Sequence, residues 1–306
     1  MKSPLVSICC ITYNHAQFIR KCLDGFLMQQ TDFPIEILIH DDCSTDGTTD
    51  IIREYEAKYP ELIFPIYEEF NQYQNGKAAE IDFYNYLRAR GKYIAYCEGD
   101  DYWIDPLKLQ KQVDFMEANP EYSVCFHDYV VYDTSNDKHM KPYYGNIESF
   151  SQDGIEVTKE MYLRNSNYGR PLTMIFRTEM FNEKWHTQYR YYRDTHEIYH
   201  LLCSGKGWKL SFVGGVYNQH TGGVSSSITA PMSALIVRET YKELYQYNLH
   251  DKVIELFMLE SLLWNYYIIP RQEFIIILKE YFLIMPRVVL RVLFVLFRRK
   301  LKKKLK

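Results

Sequence analysis

Three carboxylate side chains stand close together in the segment YIAYCEGDDYW, residues 93 to 103. They belong to Glu98, Asp100 and Asp101, and Gly99 among them lets the backbone approach a ligand closely. Carboxylates at this spacing repel one another, so the arrangement is tolerated mainly where solvent or a cation neutralises it. Oxygen ligands favour Mg²⁺ or Mn²⁺, which usually complete their coordination with water and substrate phosphates. The cluster predicts a divalent metal site for a phosphorylated substrate; the alternative is a solvated acidic turn.

The acidic cluster follows the last strand of a repeating strand and helix pattern. Short apolar runs predict strands at residues 5–12, 35–40, 63–67 and 93–97. Apolar residues spaced three and four apart predict the intervening helices, at about residues 18–27, 48–59 and 78–90. This alternation predicts an α/β fold with a doubly wound, mostly parallel sheet. Because ligands bind outside the carboxyl ends of such strands, Thr12, Tyr13, Asn14, Asp41 and Asp42 should meet the acidic cluster at one rim.

A different pattern follows the fourth strand. Further strands are expected at residues 172–177 and 208–217, with a helix holding Asp194 and Glu197 between them. The stretch from 128 to about 169 is rich in Tyr, Asn, Ser and Asp and has weak periodicity. We therefore expect that stretch to be mostly loop.

Composition limits the class of function. The 306 residues, 47% of them hydrophobic, are enough for one large core with or without a smaller appended unit. A net charge of −3 gives no bulk field for nucleic acid, so no nucleic-acid partner is expected. The seven cysteines form no CxxC pair, which argues against a disulfide framework or a zinc site and fits a reducing cytosol. The N-terminal segment MKSPLVSICCITYN lacks the features of a signal peptide.

Three motifs together resemble a known family. The segments VSICCITYN, ILIHDDCSTDGT and YIAYCEGDDYW resemble the nucleotide-sugar half of the family 2 glycosyltransferases, in the family's order and approximate spacing. The resemblance is dense over about residues 4 to 125, and VYNQHTGGVSSS further on resembles a segment of many bacterial members. It implies a GT-A fold and an inverting, metal-dependent enzyme of the hexosyltransferase type with a nucleotide-diphosphate sugar as donor, foremost a UDP-sugar.

The resemblance implies donor-binding roles for residues at the sheet rim. Asp42 matches a residue that accepts a hydrogen bond from the base ring, and Tyr13 matches one that stacks on it. The implied donor-nucleotide set is Thr12, Tyr13, Asn14, Asp41, Asp42, Gly99 and Asp100. Asp100 and Asp101 match the end of the family's DxD metal motif, where this sequence has Glu98 in place of the more usual Asp. The implied cofactor is Mg²⁺ or Mn²⁺.

Two acids are candidates for the catalytic base. An inverting transfer needs a carboxylate that removes the proton of the acceptor hydroxyl while the diphosphate leaves from the opposite face. Family members place this acid early in a helix of the second half, and in YYRDTHEIYHLL the matching residue is Asp194. Glu197, one turn later, is the rival, and both acids can instead be ordinary exposed helix residues.

Three more residues are candidates beside the donor. His220, followed by Thr-Gly-Gly, stands where backbone amides can cradle phosphate, and family members use this histidine near the metal and diphosphate. The alternative is a structural histidine that only donates a hydrogen bond. Tyr102 and Trp103 can form a wall against the sugar or acceptor, or pack in the core, or do both.

The C-terminal segment, residues 281 to 306, is basic and apolar. The basic residues that follow Glu280 are Arg287, Arg291, Arg298, Arg299, Lys300, Lys302, Lys303, Lys304 and Lys306, and no acidic residue accompanies them. After Pro286 the longest apolar run without a charge, residues 292–297, is far shorter than the roughly 20 residues of a spanning helix.

The same segment predicts an amphipathic helix. Four cations share one face of that helix: Arg287, Arg291, Arg298 and Lys302. Apolar side chains cover much of the rest: Val288, Leu290, Val292, Leu293, Val295 and Leu296. Such a helix is expected to lie on an anionic membrane surface. Docking on the protein's own body and dimerisation are the alternatives.

These expectations divide the chain into three regions. Residues 1–125 are the nucleotide-sugar-binding half, 126–230 the acceptor-binding and catalytic half, and 231–306 a helical region ending in the basic tail. The expected function is sugar transfer to a glycan, lipid-linked, in bacterial surface polysaccharide synthesis. The expected location is the cytoplasm, peripherally at the inner face of the plasma membrane. The alternatives are an inactive nucleotide-sugar-binding or scaffold protein and a sugar-phosphate nucleotidyltransferase.

Overall fold

The computed structural model describes residues 3–75, 78–141, 153–190, 192–223, 229–248 and 251–304. The chain divides into two compact units, Met1–Gly223 and Val224–Lys306. The first unit holds every strand of the described residues, and the second consists of helices.

The first part of the chain alternates between strands and helices, as predicted. The strands are β1 (Val6–Thr12), β2 (Ile35–Asp41), β3 (Ile63–Tyr67) and β4 (Tyr93–Tyr96). The helices are α1 (Ile19–Leu27), α2 (Thr48–Lys58) and α3 (Ala78–Arg88). β1 pairs in parallel with β2 and β4, and β2 pairs in parallel with β3. The strands are buried because both faces of a parallel sheet are covered, which explains their continuous apolar runs.

The second part of this unit extends the same sheet. Its strands are β5 (Tyr102–Trp103), β6 (Tyr122–Asp133), β7 (Lys138–Met140), β8 (Gly154–Val157), β9 (Ile175–Arg177) and β10 (Lys206–Gln219). Its helices are α4 (Lys108–Ala118), α5 (Lys159–Arg164), α6 (Glu183–Gln188) and α7 (Asp194–Ser204). The strand order is β3-β2-β1-β4-β9-β6-β10-β5, with β7 on β6 and β8 on β10. The predicted doubly wound α/β fold is confirmed, with an antiparallel β9 between β4 and β6.

Two expectations for this region were wrong. The stretch from 128 to 169 is not mostly loop among its described residues, because β6 continues to Asp133 and β8 and α5 follow. β6 is stabilised along its length by parallel pairing with β10, a partner about 80 residues away that local periodicity does not reveal. The strand expected from residue 172 begins only at Ile175, because a 3-10 turn occupies Pro171–Thr173.

The second unit contains four helices in its described residues. They are α8 (Ala230–Tyr247), α9 (Lys252–Ile268), α10 (Arg271–Ile284) and α11 (Pro286–Lys304). The side chain of Asp251 caps α9 by accepting hydrogen bonds from the backbone N–H groups of Val253 and Ile254. α9 packs on α8 and α10, and α11 packs on α9 and α10. The basic tail is therefore a helix, as predicted, and it belongs to a folded unit.

Candidate active site

The acidic cluster lies directly after β4, at the carboxyl end of the parallel strands. Carboxylate oxygens of Glu98, Asp100 and Asp101 all lie within 4.8 Å of one another. Gly99 donates its backbone N–H to Ile11 O at 2.8 Å, which joins the loop to β1. A Cβ at residue 99 would lie 2.6 Å from Thr12 Oγ1, so only glycine permits this approach.

Asp101 is the most deeply buried acid of the cluster, at 1% exposure. Its Oδ1 accepts a hydrogen bond from the backbone N–H of Asn218 at 2.8 Å. Its Oδ2 has no hydrogen-bond partner within the described part of the chain. Burial, and then the charges of Asp100 and Glu98, raise the pKa of Asp101 well above its usual range. A cation in the cluster would offset both the burial of the Asp101 carboxylate and its repulsion by Asp100 and Glu98.

Asp100 has the opposite environment. His220 Nε2 donates to its Oδ2 at 3.1 Å, and His15 Nε2 lies 3.7 Å from the same oxygen. Burial raises the pKa of Asp100, but the hydrogen bond from His220 and the charges of both histidines outweigh it and lower the pKa. Phe18 packs on His220 at 4.6 Å between ring centroids. The two neighbouring aspartates thus have different protonation preferences.

The residues that position this cluster come from distant parts of the chain. Asn218, near the end of β10, also donates its side-chain N–H to Asp100 O. His15 follows β1, where Thr12 Oγ1 lies 3.2 Å from its Nδ1 and its backbone N–H donates to Thr48. Neither His15 nor Asn218 was among the residues predicted for the site. The proximity of Asn218 to His220 in the VYNQH segment was the available signal.

The predicted donor residues meet at the ends of β1 and β2, where their polar groups organise the loops. Asp42, 2% exposed, accepts hydrogen bonds from the backbone N–H groups of Gln72 at 2.6 Å and Tyr73 at 3.1 Å. Asp41 accepts from Ser44 and Thr49, which shapes the turn before α2. These two carboxylates therefore fix the loops that follow β2 and β3 at this edge of the sheet.

Asn14 and Tyr13 complete this rim. Asn14 adopts a positive φ of 55°, and its Oδ1 accepts from the backbone N–H of Thr45 at 2.8 Å. Its own backbone N–H donates to Ser44 Oγ at 2.9 Å. Tyr13 is half-buried beside it. The turn after β1 is thereby joined to the turn after β2, as expected for strands that end at one edge.

The two aromatic candidates differ in exposure. Trp103 is 1% exposed, donates its Nε1–H to Leu172 O at 2.9 Å and packs on Phe26. Trp103 therefore packs in the core, which is one of the two uses that the sequence left open for it. Tyr102 is half-buried, and Lys21 Nζ lies 5.5 Å from its ring centroid. Tyr102 is the more accessible of the two side chains.

The two candidate bases also differ. Asp194 is the first residue of α7 and is half-buried, with its Oδ1 accepting from the backbone N–H of Thr195 at 2.8 Å. Glu197 is 3% exposed, and its Oε2 accepts from Tyr86 of α3 at 3.3 Å. A buried acid bound to a tyrosine is suited to joining two helices, whereas Asp194 keeps access to solvent.

One cation that the sequence analysis did not single out acts electrostatically on both groups of acids. Arg170 interacts electrostatically with Asp101 and with Asp194. Burial opposes its charge, but Tyr129 and Asp194 outweigh burial and raise its pKa. Its Nη2 donates to Asn167 at 3.1 Å, and its guanidinium carbon lies 5.0 Å from the ring centroid of Tyr217. No motif in the sequence marks this arginine.

Comparison with known proteins assigns the family. The family described as "Glycosyl transferase family 2" matches residues 7–201, nearly two thirds of the chain. The chain belongs to glycosyl transferase family 2. The matched range includes the acidic cluster, the donor rim and Asp194, so the resemblance seen in three motifs is confirmed at the family level. His220 and Asn218 lie outside it.

Curated relatives match part of the chain. An uncharacterized protein of Mycobacterium tuberculosis is 48% identical over 140 residues, covering 45% of this chain and 39% of the relative. TuaG of Bacillus subtilis, a candidate teichuronic acid biosynthesis glycosyltransferase, is 40% identical over 113 residues, covering 37% of this chain and 42% of TuaG. The chain thus spans about two fifths of the length of these curated relatives.

The fold resembles that of solved structures of TarS from S. aureus. TarS of S. aureus, residues 1–349 in complex with UDP-GlcNAc, gives a TM-score of 0.59 at 20% identity, over 85% of this chain and 72% of that one. At this identity the likeness concerns the fold, and it agrees with the predicted GT-A architecture. Mg²⁺ and Mn²⁺ prefer oxygen ligands, which the carboxylates of the cluster offer; one oxygen of Asp101 has no hydrogen-bond partner among the described residues.

Proposed function

We propose that this chain is an inverting, metal-dependent glycosyltransferase that transfers a sugar from a nucleotide-diphosphate sugar to a hydroxyl of a glycan. The observation that carries the proposal is the buried, unpartnered Oδ2 of Asp101 within the carboxylate cluster. A carboxylate oxygen without a donor among the described residues is costly unless a cation accompanies it. In a family 2 chain, the donor diphosphate is the substrate group that this cation serves.

The proposed metal ligands are the acids of the cluster. Asp100 and Asp101 would hold Mg²⁺ or Mn²⁺, with Glu98 beside them. The bound ion would supply Lewis-acid stabilisation of the charge that develops on the leaving diphosphate. His220, a candidate ligand, already contacts Asp100, so it orients that carboxylate even without contacting the ion.

Asp194 is the proposed base. Its half-exposed carboxylate would take the proton of the acceptor hydroxyl while the diphosphate leaves from the opposite face of the sugar. Glu197 is the weaker candidate because it is buried and accepts a hydrogen bond from Tyr86. We propose that Glu197 holds α7 in place.

The proposed donor is a UDP-sugar. The solved complexes of TarS with UDP-GlcNAc and UDP support this choice. Thr12, Tyr13 and Asn14 would contact the nucleotide, with Asp42 beside the base ring and Gly99 beside the diphosphate. Tyr102 would face the sugar. Asp41, bound to Ser44 and Thr49, would act through the shape of the turn.

The proposed acceptor is a lipid-linked glycan of bacterial surface polysaccharide synthesis. The name of TuaG, a relative in teichuronic acid biosynthesis, supports this class. Residues 1–125 would bind the donor and 126–230 the acceptor, and 231–306 would contact an anionic membrane. The enzyme would then work in the cytoplasm at the inner face of the plasma membrane.

A transfer assay on the full chain tests the reaction. With Mn²⁺ and a panel of nucleotide sugars, the protein should release nucleoside diphosphate and glycosylate an acceptor. Asp101→Asn should lower turnover about a hundredfold or more and remove Mn²⁺-dependent donor binding in calorimetry, because a ligand of the ion is lost. Asp114→Asn, an exposed aspartate on α4, is the matched control and should behave like the wild type.

Three results would contradict the proposal. Full activity in excess chelator would remove the metal from the mechanism. Donor binding without release of nucleoside diphosphate, in the presence of suitable acceptors, would indicate a nucleotide-sugar-binding or scaffold protein. Formation of a nucleotide sugar from a sugar phosphate and a nucleoside triphosphate would indicate a nucleotidyltransferase.

A further inference from the structure

Helix α11 has two apolar faces, where the sequence suggested one. Val288, Val289 and Val292 are at most 2% exposed, and α11 packs on α9 and α10. Val295 and Leu296 are half-buried. This docked face makes the tail part of the second unit. Docking on the protein's own body, one of the alternatives for the tail, therefore applies to one side of the helix.

The other apolar face is exposed. Its members recur at three- and four-residue spacing, which places them on one side of the helix. We call Leu290, Leu293, Phe294 and Phe297 the exposed stripe; their side chains are 55, 45, 59 and 62% exposed. Four large apolar groups in an uninterrupted line on a surface mark an interaction site.

A row of arginines runs beside the exposed stripe. Arg287, Arg291 and Arg298 are exposed and share one side of α11, at about 100° of rotation per residue. We call these three residues the arginine row. The guanidinium carbon of Arg298 lies 5.4 Å from the ring centroid of Phe294, so the row adjoins the stripe. The side chain of Lys302, predicted for the same face, lies outside the described residues.

We propose that the exposed stripe and the arginine row together form a surface that binds anionic phospholipid membranes. The apolar side chains would enter the boundary between headgroups and acyl chains, with the guanidinium groups on lipid phosphates. No helix of the described residues is long and apolar enough to span a bilayer. The inference rests on the proposed function, in which residues 231–306 contact an anionic membrane, and assigns that contact to one face of α11.

Charge decides between a membrane and a second copy of the chain. Two copies joined stripe to stripe would bring two arginine rows together, and no acidic residue follows Glu280 to neutralise them. Like charges facing each other disfavour that association. An anionic headgroup layer instead complements the row along its whole length.

The docked face distinguishes α11 from an amphipathic tail that is free in solution. A free tail would fold when it binds lipid, and its helix content would rise. α11 is already a helix held by Val288, Val289 and Val292. Vesicle binding should therefore leave the far-ultraviolet circular dichroism of the full chain unchanged.

Vesicle flotation of the full chain tests the proposal. Neutral vesicles contain phosphatidylcholine alone, and anionic vesicles contain phosphatidylcholine with about one third phosphatidylglycerol. The row variant is Arg287→Gln/Arg291→Gln/Arg298→Gln, and its matched control in the first unit is Lys138→Gln/Lys141→Gln/Arg164→Gln. The stripe variant is Phe294→Ser/Phe297→Ser, and its matched control is Leu87→Ser/Val213→Ser, which also alters exposed apolar residues.

The wild type should float with anionic vesicles and only weakly with neutral ones. The row variant should bind anionic vesicles on the order of a hundredfold more weakly at low salt, at roughly fivefold per arginine. The stripe variant should lose the binding that survives high salt, because that part depends on apolar burial. Both controls should float like the wild type.

Several outcomes would overturn the proposal. They are no flotation of the wild type, equal flotation of the stripe variant, and a concentration-dependent dimer that the stripe variant abolishes, which would assign the surface to a second copy. Failure here is distinguishable from failure of the proposed reaction. Nucleoside diphosphate release without vesicles should be the same in the wild type, row variant and stripe variant, and Asp101→Asn should float normally.

Discussion

At the scale of single residues, the environment gives neighbouring acids different tasks. Two imidazoles approach one oxygen of Asp100, while Asp101 is buried with an unpartnered oxygen. The same contrast separates Asp194 from Glu197, since the first is half-exposed and the second is bound to Tyr86. Each pair consists of two carboxylates, so burial and hydrogen-bond partners must decide the roles.

Substitution of the two helix acids should separate chemistry from structure. Asp194→Asn should lower kcat about a hundredfold or more with little change in donor affinity, because it removes a proton acceptor and no nucleotide contact. Glu197→Gln should keep most of the turnover but lower the free energy of unfolding by about 1 kcal/mol, since its partner Tyr86 loses a charged acceptor. Steady-state kinetics measure kcat and donor affinity, and thermal unfolding measures the stability of the two variants. A larger loss of kcat in Glu197→Gln would exchange the roles.

Lys108 is a buried lysine of α4 whose amine lies against the ring of Trp103. It is 0% exposed, its Nζ has no hydrogen-bond partner in the described part of the chain, and it lies 3.7 Å from the ring centroid of Trp103. Burial lowers the pKa of Lys108 from 10.5 to about 7. Between these two values the unfolded chain binds more protons than the folded one, so this lysine makes stability rise with pH.

The variant Lys108→Met should remove that dependence. We expect a higher free energy of unfolding at pH 7, on the order of a few kcal/mol, because no amine need lose its proton on folding. We also expect a flatter rise of stability between pH 7 and 10. Denaturant unfolding across this range is the measurement, with Lys111→Met, an exposed lysine of α4, as control. An unchanged slope in Lys108→Met would mean that the amine is charged and solvated.

At the scale of elements, strand pairing and helix docking place the functional groups. β10 pairs with β5 and β6, and its end carries Asn218 and His220 to the acidic loop. In the second unit, docking of α11 selects which of its apolar residues remain exposed. The pairing and packing of these elements, which their local sequence does not specify, thus determine the geometry of both sites.

Adjacent residues of α11 provide a test of docking. Val292→Ser should lower the stability of the second unit by about 2–3 kcal/mol, because a fully buried methyl pair is replaced by a hydroxyl. Leu293→Ser, at 45% exposure in the wild type, should change it by less than about 0.5 kcal/mol. Thermal unfolding of the full chain compares them. Equal effects would contradict the docked face. Deletion of the tail is the poorer experiment, since it would uncover apolar surface of α9 and α10.

At the scale of the whole molecule, charge and function are divided between the two units. The proposed donor and metal residues all lie in Met1–Gly223, while the uninterrupted basic segment lies in Val224–Lys306. Each unit has its own buried residues. Ligand binding and membrane binding can therefore be measured as separate properties of one chain.

Donor binding should stabilise the first unit. UDP with Mn²⁺ at about a hundred times its Kd should add about 2.7 kcal/mol by mass action. Val292→Ser should leave this gain unchanged, because no proposed donor residue lies beyond residue 223. Calorimetric unfolding with and without UDP and Mn²⁺ provides the measurement. A gain that persists in Asp101→Asn, or that disappears in Val292→Ser, would place the donor site elsewhere.

Much of this protein follows from short-range features of its sequence. Continuous apolar runs separated by helical periodicity predict β1 to β4 and α1 to α3, because burial on both faces of a parallel sheet demands them. The carboxyl ends of those strands then locate Asp41, Asp42 and the acidic cluster at one rim. Three motifs in the family's order predicted the family. The basic tail was predicted because no acidic residue follows Glu280.

Other features were decided only by tertiary structure. His15 contacts Asp100 and Asn218 contacts Asp101, across 85 and 117 residues of the chain, and Arg170 interacts electrostatically with Asp101 across 69. No local pattern encodes such pairing. Trp103 packs in the core, whereas the sequence left both core packing and a ligand wall open. Which face of α11 is exposed depended on α9 and α10. Periodicity reports that a side chain is apolar, but burial is a property of the neighbours that fold against it.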